Sequence, residues 1–353
     1  MMATTSASTS KRPYGLRSGA KTCPSRRGRG AAVAARATKT ALVTGANSGI
    51  GRETVRELVK AGYSSVILAC RDVEAGEEAR SEIASSLGGD AASRMSVSRL
   101  NLSSLDSVRE LAASFSERND SCDLLVNNAG VMMIPELRRT DDGFEEHWGI
   151  NYLGHYLLTS LMLGPLRKSE RARVVNVSSA ANSFGKLDLG DMDYARGGYD
   201  PWQAYGNSKL GNLMFTFELD RRLRESGISN VSVNAVHPGL VKTNLGRYMN
   251  PLVTKVFQLL PEFFVLTPEQ GARTQVQVAL SEDFEGVSGK YYADQTFKFK
   301  PGQFAEEDVV VSPSAKDEGL LRDLWDYSRE ATGASWDALR PIEQVAAPTN
   351  ENA

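Results

Sequence analysis

The sequence predicts an α/β fold, a single domain with a doubly wound parallel sheet and helices on both faces. Three observations predict it. From Thr38 onward, short apolar runs bounded by turn residues alternate with helical patterns. A glycine-rich turn stands at the first strand-to-helix junction. Polar or small residues close each strand at its carboxyl end, where open parallel sheets bind ligands. At 353 residues, 41% hydrophobic and 24% charged, the chain can bury a sizeable core of ordinary composition.

Residues 1–36 stand apart from that pattern. They carry eight basic residues, and no Asp or Glu precedes Glu53. Such a stretch has too few large apolar residues to offset the entropy of ordering it. Rich in Ser and Arg and free of acid, it has the composition of an organelle transit peptide. A disordered tail and a nucleic-acid-binding arm are the competing readings. The small-residue run 31–37 resembles the processing sites of chloroplast precursors, so the mature chain is expected to begin near 36–38. The formal charge of −2 then hides a mature chain of 33 basic and 43 acidic residues, or −10. No apolar run approaches ~18–20 residues, which excludes a standard membrane-spanning helix. Three cysteines (Cys23, Cys70, Cys122) make no disulfide framework, and the three histidines share no metal-ligand spacing.

Ala41-Leu42-Val43 reads as a buried parallel strand. It runs into Thr44-Gly45-Ala46-Asn47-Ser48-Gly49-Ile50-Gly51, followed by a helix with Val55, Leu58 and Val59 on one face. Glycines there let the backbone turn sharply and approach a pyrophosphate, while the helix N-terminus offers unpaired N–H donors. A plain tight turn needs glycine too, so this motif alone leaves both readings open. The next strand, 65–69, ends at Cys70-Arg71-Asp72. In NAD-selective folds an acidic residue near this point takes the ribose 2′-OH. Here a guanidinium stands instead, which suits a 2′-phosphate and predicts NADP(H). The competing reading makes Arg71 a solvated residue at a helix start, and Asp72 is the expected N-cap. Strands over 95–100 and 123–126 end at Asn101 and at Asn127-Asn128-Ala129-Gly130, which are expected cofactor contacts. Asn128 could equally brace neighbouring strand ends.

The strand 173–177 delivers Ser178-Ser179 to the same sheet edge, and Tyr205-Gly206-Asn207-Ser208-Lys209 follows. Tyr and Lys four apart share a helix face. An ammonium beside a phenol favours the phenolate and is expected to lower the Tyr205 pKa toward neutrality. Tyr205 could then exchange a proton with a carbonyl or alcohol oxygen that Ser179 hydrogen-bonds.

In order and spacing these motifs resemble the short-chain dehydrogenases/reductases: T-G-x-x-x-G-I-G from Thr44, N-N-A-G from Asn127, Asn151, Ser178-Ser179, Tyr205 with Lys209, and Pro238-Gly239. The likeness runs from about 38 to 332. It implies a Rossmann fold with a seven-stranded parallel sheet. It also implies a catalytic set of Asn151, Ser179, Tyr205 and Lys209, with Tyr205 as acid/base, Lys209 on the nicotinamide ribose and Asn151 holding a relay water. The implied cofactor contacts are Gly45, Asn47, Ser48, Gly49, Ile50 and Gly51, then Arg71, Asn101, Asn128, Ala129 and Gly130. Tyr205 and Lys209 join them, with Pro238, Gly239 and Thr243. Asn101 departs from the family's usual Asp. Finer matches at Cys70-Arg71-Asp72, Asn151-Tyr152-Leu153-Gly154-His155 and Thr267-Pro268-Glu269-Gln270-Gly271-Ala272 are similar to the retinol-dehydrogenase-like branch. That branch includes chloroplast envelope dehydrogenases associated with protein import. Protochlorophyllide reductase is related, but its long insertion between Ser and Tyr is missing here.

The apolar, aromatic stretch 252–266 lies where the family covers its substrate, which suggests a lipophilic one. Packing on the core and docking on a membrane surface are the alternatives. The expected organisation is a transit peptide at 1–37 and an NADP(H)-binding domain at 38–335 with a substrate lid at 244–268. A loop insertion at 298–312 and a flexible tail at 336–353 complete it. Helices around 144–168 and 202–226 form homodimer contacts in many family members, and this branch is variable. The expected activity is NADPH-dependent hydride transfer to or from a lipophilic carbonyl or alcohol, in the chloroplast stroma or at the stromal face of the envelope, with no nucleic-acid partner and no resident metal. The alternative is a regulatory or scaffold protein that binds NADP(H). A Ser-His-Asp hydrolase is disfavoured, since Ser179 is not in G-x-S-x-G.

Overall fold

The computed structural model describes residues 38–242, Leu245, Tyr248, 265–294, 304–305 and 311–340. The basic segment 1–37, Thr243, the tail beyond Arg340 and all of the 244–268 stretch except 245, 248 and 265–268 lie outside them.

Apolar runs form the strands. β1 (Thr40–Thr44), β2 (Ser65–Cys70), β3 (Met95–Arg99), β4 (Leu124–Asn127), β5 (Ala172–Val177), β6 (Val231–His237) and β7 (Lys290–Asp294) are all parallel, in the order β3-β2-β1-β4-β5-β6-β7. This is the expected seven-stranded sheet. An eighth strand, β8 (Phe304–Ala305), pairs antiparallel with β7. It lies inside 298–312, so that stretch is not wholly the loop insertion the sequence suggested.

Successive residues of a strand point to opposite faces, and here both faces are covered. Leu42, Ile67, Leu125 and Val174 pack into one core, while Ala41, Val43, Val66, Leu68, Val126 and Val175 pack into the other. The second core is closed by α1 (Gly49–Lys60), α2 (Val73–Leu87) and α6 (Pro268–Leu280). The first is closed by α3 (Leu105–Arg118), α4 (Gly154–Lys168), α5 (Pro201–Glu225) and α7 (Glu318–Thr332). Continuous apolar strands follow from this double burial.

The helix ends obey local rules. The Asp72 carboxylate accepts the Ala75 N–H at 3.1 Å, so it is the N-cap expected of it. Thr267 and Gln270 form a reciprocal capping box, with Pro268 in the first turn of α6. None of the helices over the described residues is long and apolar enough to cross a membrane.

One boundary needs correction. The stretch from 336 was expected to be a flexible tail, yet Trp336 is 9% exposed and its ring lies 4.5 Å from Trp325 and 5.3 Å from Tyr156. Its indole N–H donates to the Tyr156 hydroxyl at 2.9 Å. The Arg167 guanidinium donates to the Ala338 and Arg340 carbonyls. An aromatic side chain seated this way orders the chain around it, so the packed domain reaches Arg340.

Candidate active site

The sheet changes winding direction between β1 and β4, the switch point at which open α/β sheets bind ligands. The predicted glycine turn lies there. Gly45 has φ +64°, and a Cβ on it would stand 2.9 Å from Ala129 Cα. A Cβ on Gly51 would lie 2.4 Å from the Gly45 carbonyl oxygen. Asn47, Ser48, Gly49 and Ile50 are half-buried along the turn. Ser48 is the N-cap of α1 in extended geometry, but its hydroxyl does not cap the helix. The first N–H groups of α1 thus remain available to an anion, the donor set a pyrophosphate requires.

Across the switch point, the Asn128 amide donates to the Thr44 carbonyl at 2.7 Å, and the Asn128 and Ala129 N–H groups donate to Thr44 Oγ1 at 2.9 Å each. Of the two roles weighed for Asn128, the structure displays the bracing one. Asn101 accepts the Ser103 N–H at 3.2 Å and so shapes its own turn. Arg71 is exposed at the end of β2, with no hydrogen bond or ion pair among the described residues. Pro238 and Gly239 follow β6, where Gly239 has φ +84°. Beyond them the chain exchanges hydrogen bonds with Leu266, through Leu266 N to Leu240 O at 2.7 Å and Lys242 N to Leu266 O at 2.9 Å. The chain just before the expected lid is therefore tied to the far end of that stretch. Thr243 lies outside the described residues.

The four predicted catalytic residues converge. Ser179 caps a short 3-10 turn (Ala180–Phe184), its Oγ accepting the Ala181 N–H at 3.2 Å, and its hydroxyl lies on the side of the buried Tyr205 phenol. Its neighbour Ser178 points inward, donating to the Lys209 carbonyl at 2.7 Å. Ser178 is thus committed to the helix backbone, and Ser179 is the serine on the Tyr205 side. The Lys209 ammonium donates to the Val177 carbonyl at 3.0 Å and lies 5.7 Å from the Tyr205 ring centre. A Cβ on Gly130 would approach Lys209 Nζ at 3.6 Å and Asn151 Oδ1 at 3.2 Å, so these groups share one recess. Asn151 sits in a π-helical stretch (Trp148–Leu153) leading into α4. Such widened turns recur at functional sites. Its side chain accepts the Val131 N–H at 2.8 Å and donates to the Val131 carbonyl and Ser208 Oγ at 2.9 Å.

One electrostatic expectation fails. Tyr205 is not drawn toward neutrality: burial pushes its hydroxyl up to about 12, and the nearby Ser179 hydroxyl only moderates the rise. Lys209 lies over the ring, with its ammonium bonded to Val177, and burial pushes that ammonium down to about 8. Desolvation therefore outweighs the attraction the i, i+4 spacing suggested.

Several contacts that shape the site are not marked by the motifs, although Asn127 itself lies in N-N-A-G. Asn127 donates to Asn176 Oδ1 at 2.8 Å and to Thr159 Oγ1 at 2.9 Å, and Asn176 donates to Thr216 Oγ1 at 2.9 Å, locking β4 and β5 to α4 and α5. Gln275, on α6, donates to Thr54 Oγ1 and holds the start of α1. Glu145 and His147 form a buried pair at 2.6 Å. Glu145 also accepts the His147 and Trp148 N–H groups, while His147 Nε2 receives the Ile134 N–H and its ring meets Tyr205 edge-on at 6.2 Å. These partners are distant in sequence or lie in irregular backbone, where periodicity says nothing.

Residues 39–252 match the family model described as short chain dehydrogenase. The chain is 41% identical to Retinol dehydrogenase 14 of Mus musculus over 304 residues, covering 84% of this chain and 86% of that protein. It is 42% identical to Retinol dehydrogenase 13 of Mus musculus over 299 residues, covering 84% of each. Among solved structures, a putative uncharacterized protein from Mycobacterium Paratuberculosis superposes with a TM-score of 0.66 at 34% identity, over 84% of this chain and 94% of that one.

Proposed function

This chain belongs to the short-chain dehydrogenase/reductase family, in its retinol-dehydrogenase-like branch, and on that premise we propose that it is an NADP(H)-dependent oxidoreductase of a lipophilic carbonyl or alcohol. One observation carries the reading. Ser179 and Tyr205 stand with Lys209 and Asn151 at the carboxyl edge of the sheet, across the switch point from an open helix N-terminus.

The site's residues fit a dinucleotide. The α1 N–H groups and the Gly45-to-Gly51 turn would hold the pyrophosphate, and Arg71 would meet a 2′-phosphate. The region of Ala129, Gly130, Pro238 and Gly239 would border the nicotinamide, with Lys209 on its ribose. When bound, the nicotinamide supplies or accepts the hydride. In reduction Tyr205 gives its hydroxyl proton to the carbonyl oxygen as the carbon gains hydride. With a pKa of about 12 the buried phenol holds that proton at neutral pH. Ser179 donates to the same oxygen and orients it. Lys209, bonded to Val177 through one N–H, keeps two donors for the ribose and the proton path through Asn151.

The substrate class rests on the retinol dehydrogenase relatives and on the apolar composition of 252–266. The acid-free segment 1–37 supports targeting to the chloroplast, and fusing it to a fluorescent reporter tests that directly. The decisive experiment for the activity offers NADPH with retinal and medium-chain and long-chain aldehydes. Turnover that disappears in Tyr205→Phe, with NADPH binding retained, is the expected result. Normal reduction by that variant would refute the mechanism.

A further inference from the structure

His155 has no part in the chemistry described above, yet it touches two pieces of the site. Its side chain is buried on α4, with Nδ1 2.9 Å from the Asn151 carbonyl and Nε2 2.9 Å from Thr44 Oγ1. Thr44 closes β1 at the glycine turn, 111 residues away in sequence. We infer that His155 is a positioning residue that joins the cofactor-side turn to the asparagine of the proton path, held as the neutral ring carrying its proton on Nδ1. The role in turnover rests on the oxidoreductase reading; the hydrogen-bonded bridge does not.

The proton positions follow from counting donors. A threonine hydroxyl has two lone pairs and one proton. Both lone pairs of Thr44 Oγ1 are taken by the Asn128 and Ala129 N–H groups, each at 2.9 Å. Its proton must go to an acceptor, and His155 Nε2 at 2.9 Å is nearer than the Val126 carbonyl at 3.4 Å. Nε2 is therefore unprotonated, and the single ring proton of a neutral imidazole sits on Nδ1. Nδ1–H then donates to the Asn151 carbonyl. The Asn151 side chain is already committed to Val131 and Ser208. His155 consequently adds a separate hold on the main-chain oxygen of that residue. The same ring fixes the Thr44 hydroxyl that gathers the Asn128–Ala129 backbone. Moving either end disturbs the other through one rigid five-membered ring.

Two substitutions cut the bridge at opposite ends. His155→Asn puts an amide nitrogen near the Nδ1 position and cannot reach Thr44. His155→Gln puts an amide oxygen near the Nε2 position and loses the hold on Asn151. The expected split is a kcat about tenfold lower in His155→Gln with NADPH affinity within about twofold of the parent. In His155→Asn, NADPH affinity should fall about fivefold, with kcat at saturating NADPH within about threefold. Two variants that lose both properties together would make His155 a packing residue only, and two that lose neither would overturn the proposal.

The second measurement needs no turnover. In the full chain labelled with 15N-histidine, long-range proton–nitrogen spectra identify His155 by the signals lost in His155→Gln. A proton on Nδ1 and a bare Nε2 at pH 7 are expected; a proton on Nε2 would overturn the bridge. If the parent binds no NADPH, the oxidoreductase reading falls, and this spectrum alone decides whether the bridge stands.

Discussion

The Asn128 side-chain amide reaches from the end of β4 to the Thr44 carbonyl at the end of β1, a 2.7 Å bond across the switch point. Gly51 lies against this contact, because a Cβ there would stand 2.5 Å from Asn128 Nδ2 and 2.4 Å from the Gly45 carbonyl. Neither neighbour can yield without opening the turn. Gly51→Ala should therefore lower stability by about 1–3 kcal/mol, the cost of overpacking a tight site. It should also weaken NADPH binding by at least about tenfold, since it pushes apart the backbone we propose to hold the phosphates. Urea unfolding and a fluorescence titration with NADPH check the two effects separately. A variant with parental stability and affinity would show that the turn is looser than its contacts indicate.

Trp336 supports a second prediction. It stacks among Tyr156, Phe215 and Trp325, and its indole N–H is bonded to the Tyr156 hydroxyl. Removing the ring leaves a cavity lined by three aromatic rings and strips Tyr156 of a partner. Trp336→Ala should cost about 3–5 kcal/mol. Trp336→Phe should recover much of the packing but not the hydrogen bond, at about 1 kcal/mol. Calorimetry distinguishes them, and a freely mobile tail would give no loss in either.

Acid stability follows from the buried histidines. Burial pushes the His155 imidazole down to about 4, against an unfolded value near 6.5, with a smaller opposing effect from its Asn151 bond. His237 is displaced in the same direction by burial. Between those values the unfolded chain binds protons that the folded chain refuses, so stability falls as the pH drops from about 6.5 to about 4. His155 alone accounts for up to about 3 kcal/mol across that window. Urea midpoints at pH 7, 5.5 and 4.5 should show a shallower acid loss in His155→Gln than in the parent. Identical slopes would mean the ring does not titrate as its burial requires.

The placement of the glycine turn at the start of α1, of Ser178-Ser179 after β5, and of Tyr205 and Lys209 together on α5 was legible in the sequence because each is set by local geometry: a turn, a strand end, one helical spacing. The Asp72 cap was legible for the same reason. Packing between distant segments was not. Nothing local marks Trp336 as a core residue, for its hydrogen-bond partner Tyr156 is 180 residues away. Nothing pairs Thr44 with His155 before the sheet has formed. The Tyr205 pKa went the wrong way because the spacing shows the ammonium but not the burial that dominates it. Charge proximity can be read from a helix period, whereas desolvation belongs to the whole fold.

We expect coenzyme choice to turn on Arg71. The side chain is exposed immediately after β2, and no ion pair or hydrogen bond engages it among the described residues. Its acidic neighbour, Asp72, is spent on the Ala75 N–H at the start of α2. One Asp72 oxygen is thus directed at the helix start, and the guanidinium of Arg71 is the charge at this strand end that no ion pair or hydrogen bond engages among the described residues. Bonds from a guanidinium to a phosphate contribute about 1.5–3 kcal/mol, equivalent to roughly 10–100-fold in affinity. Arg71→Ala should weaken NADPH binding by that factor and leave NADH within about twofold. Arg71→Asp should go further and reverse the preference, because a carboxylate repels the 2′-phosphate and accepts from the 2′-hydroxyl. Raising the salt concentration should narrow the parental preference and barely touch that of Arg71→Ala, since an exposed charge pair is screened. Equal affinity of the parent for NADPH and NADH would remove Arg71 from coenzyme selection.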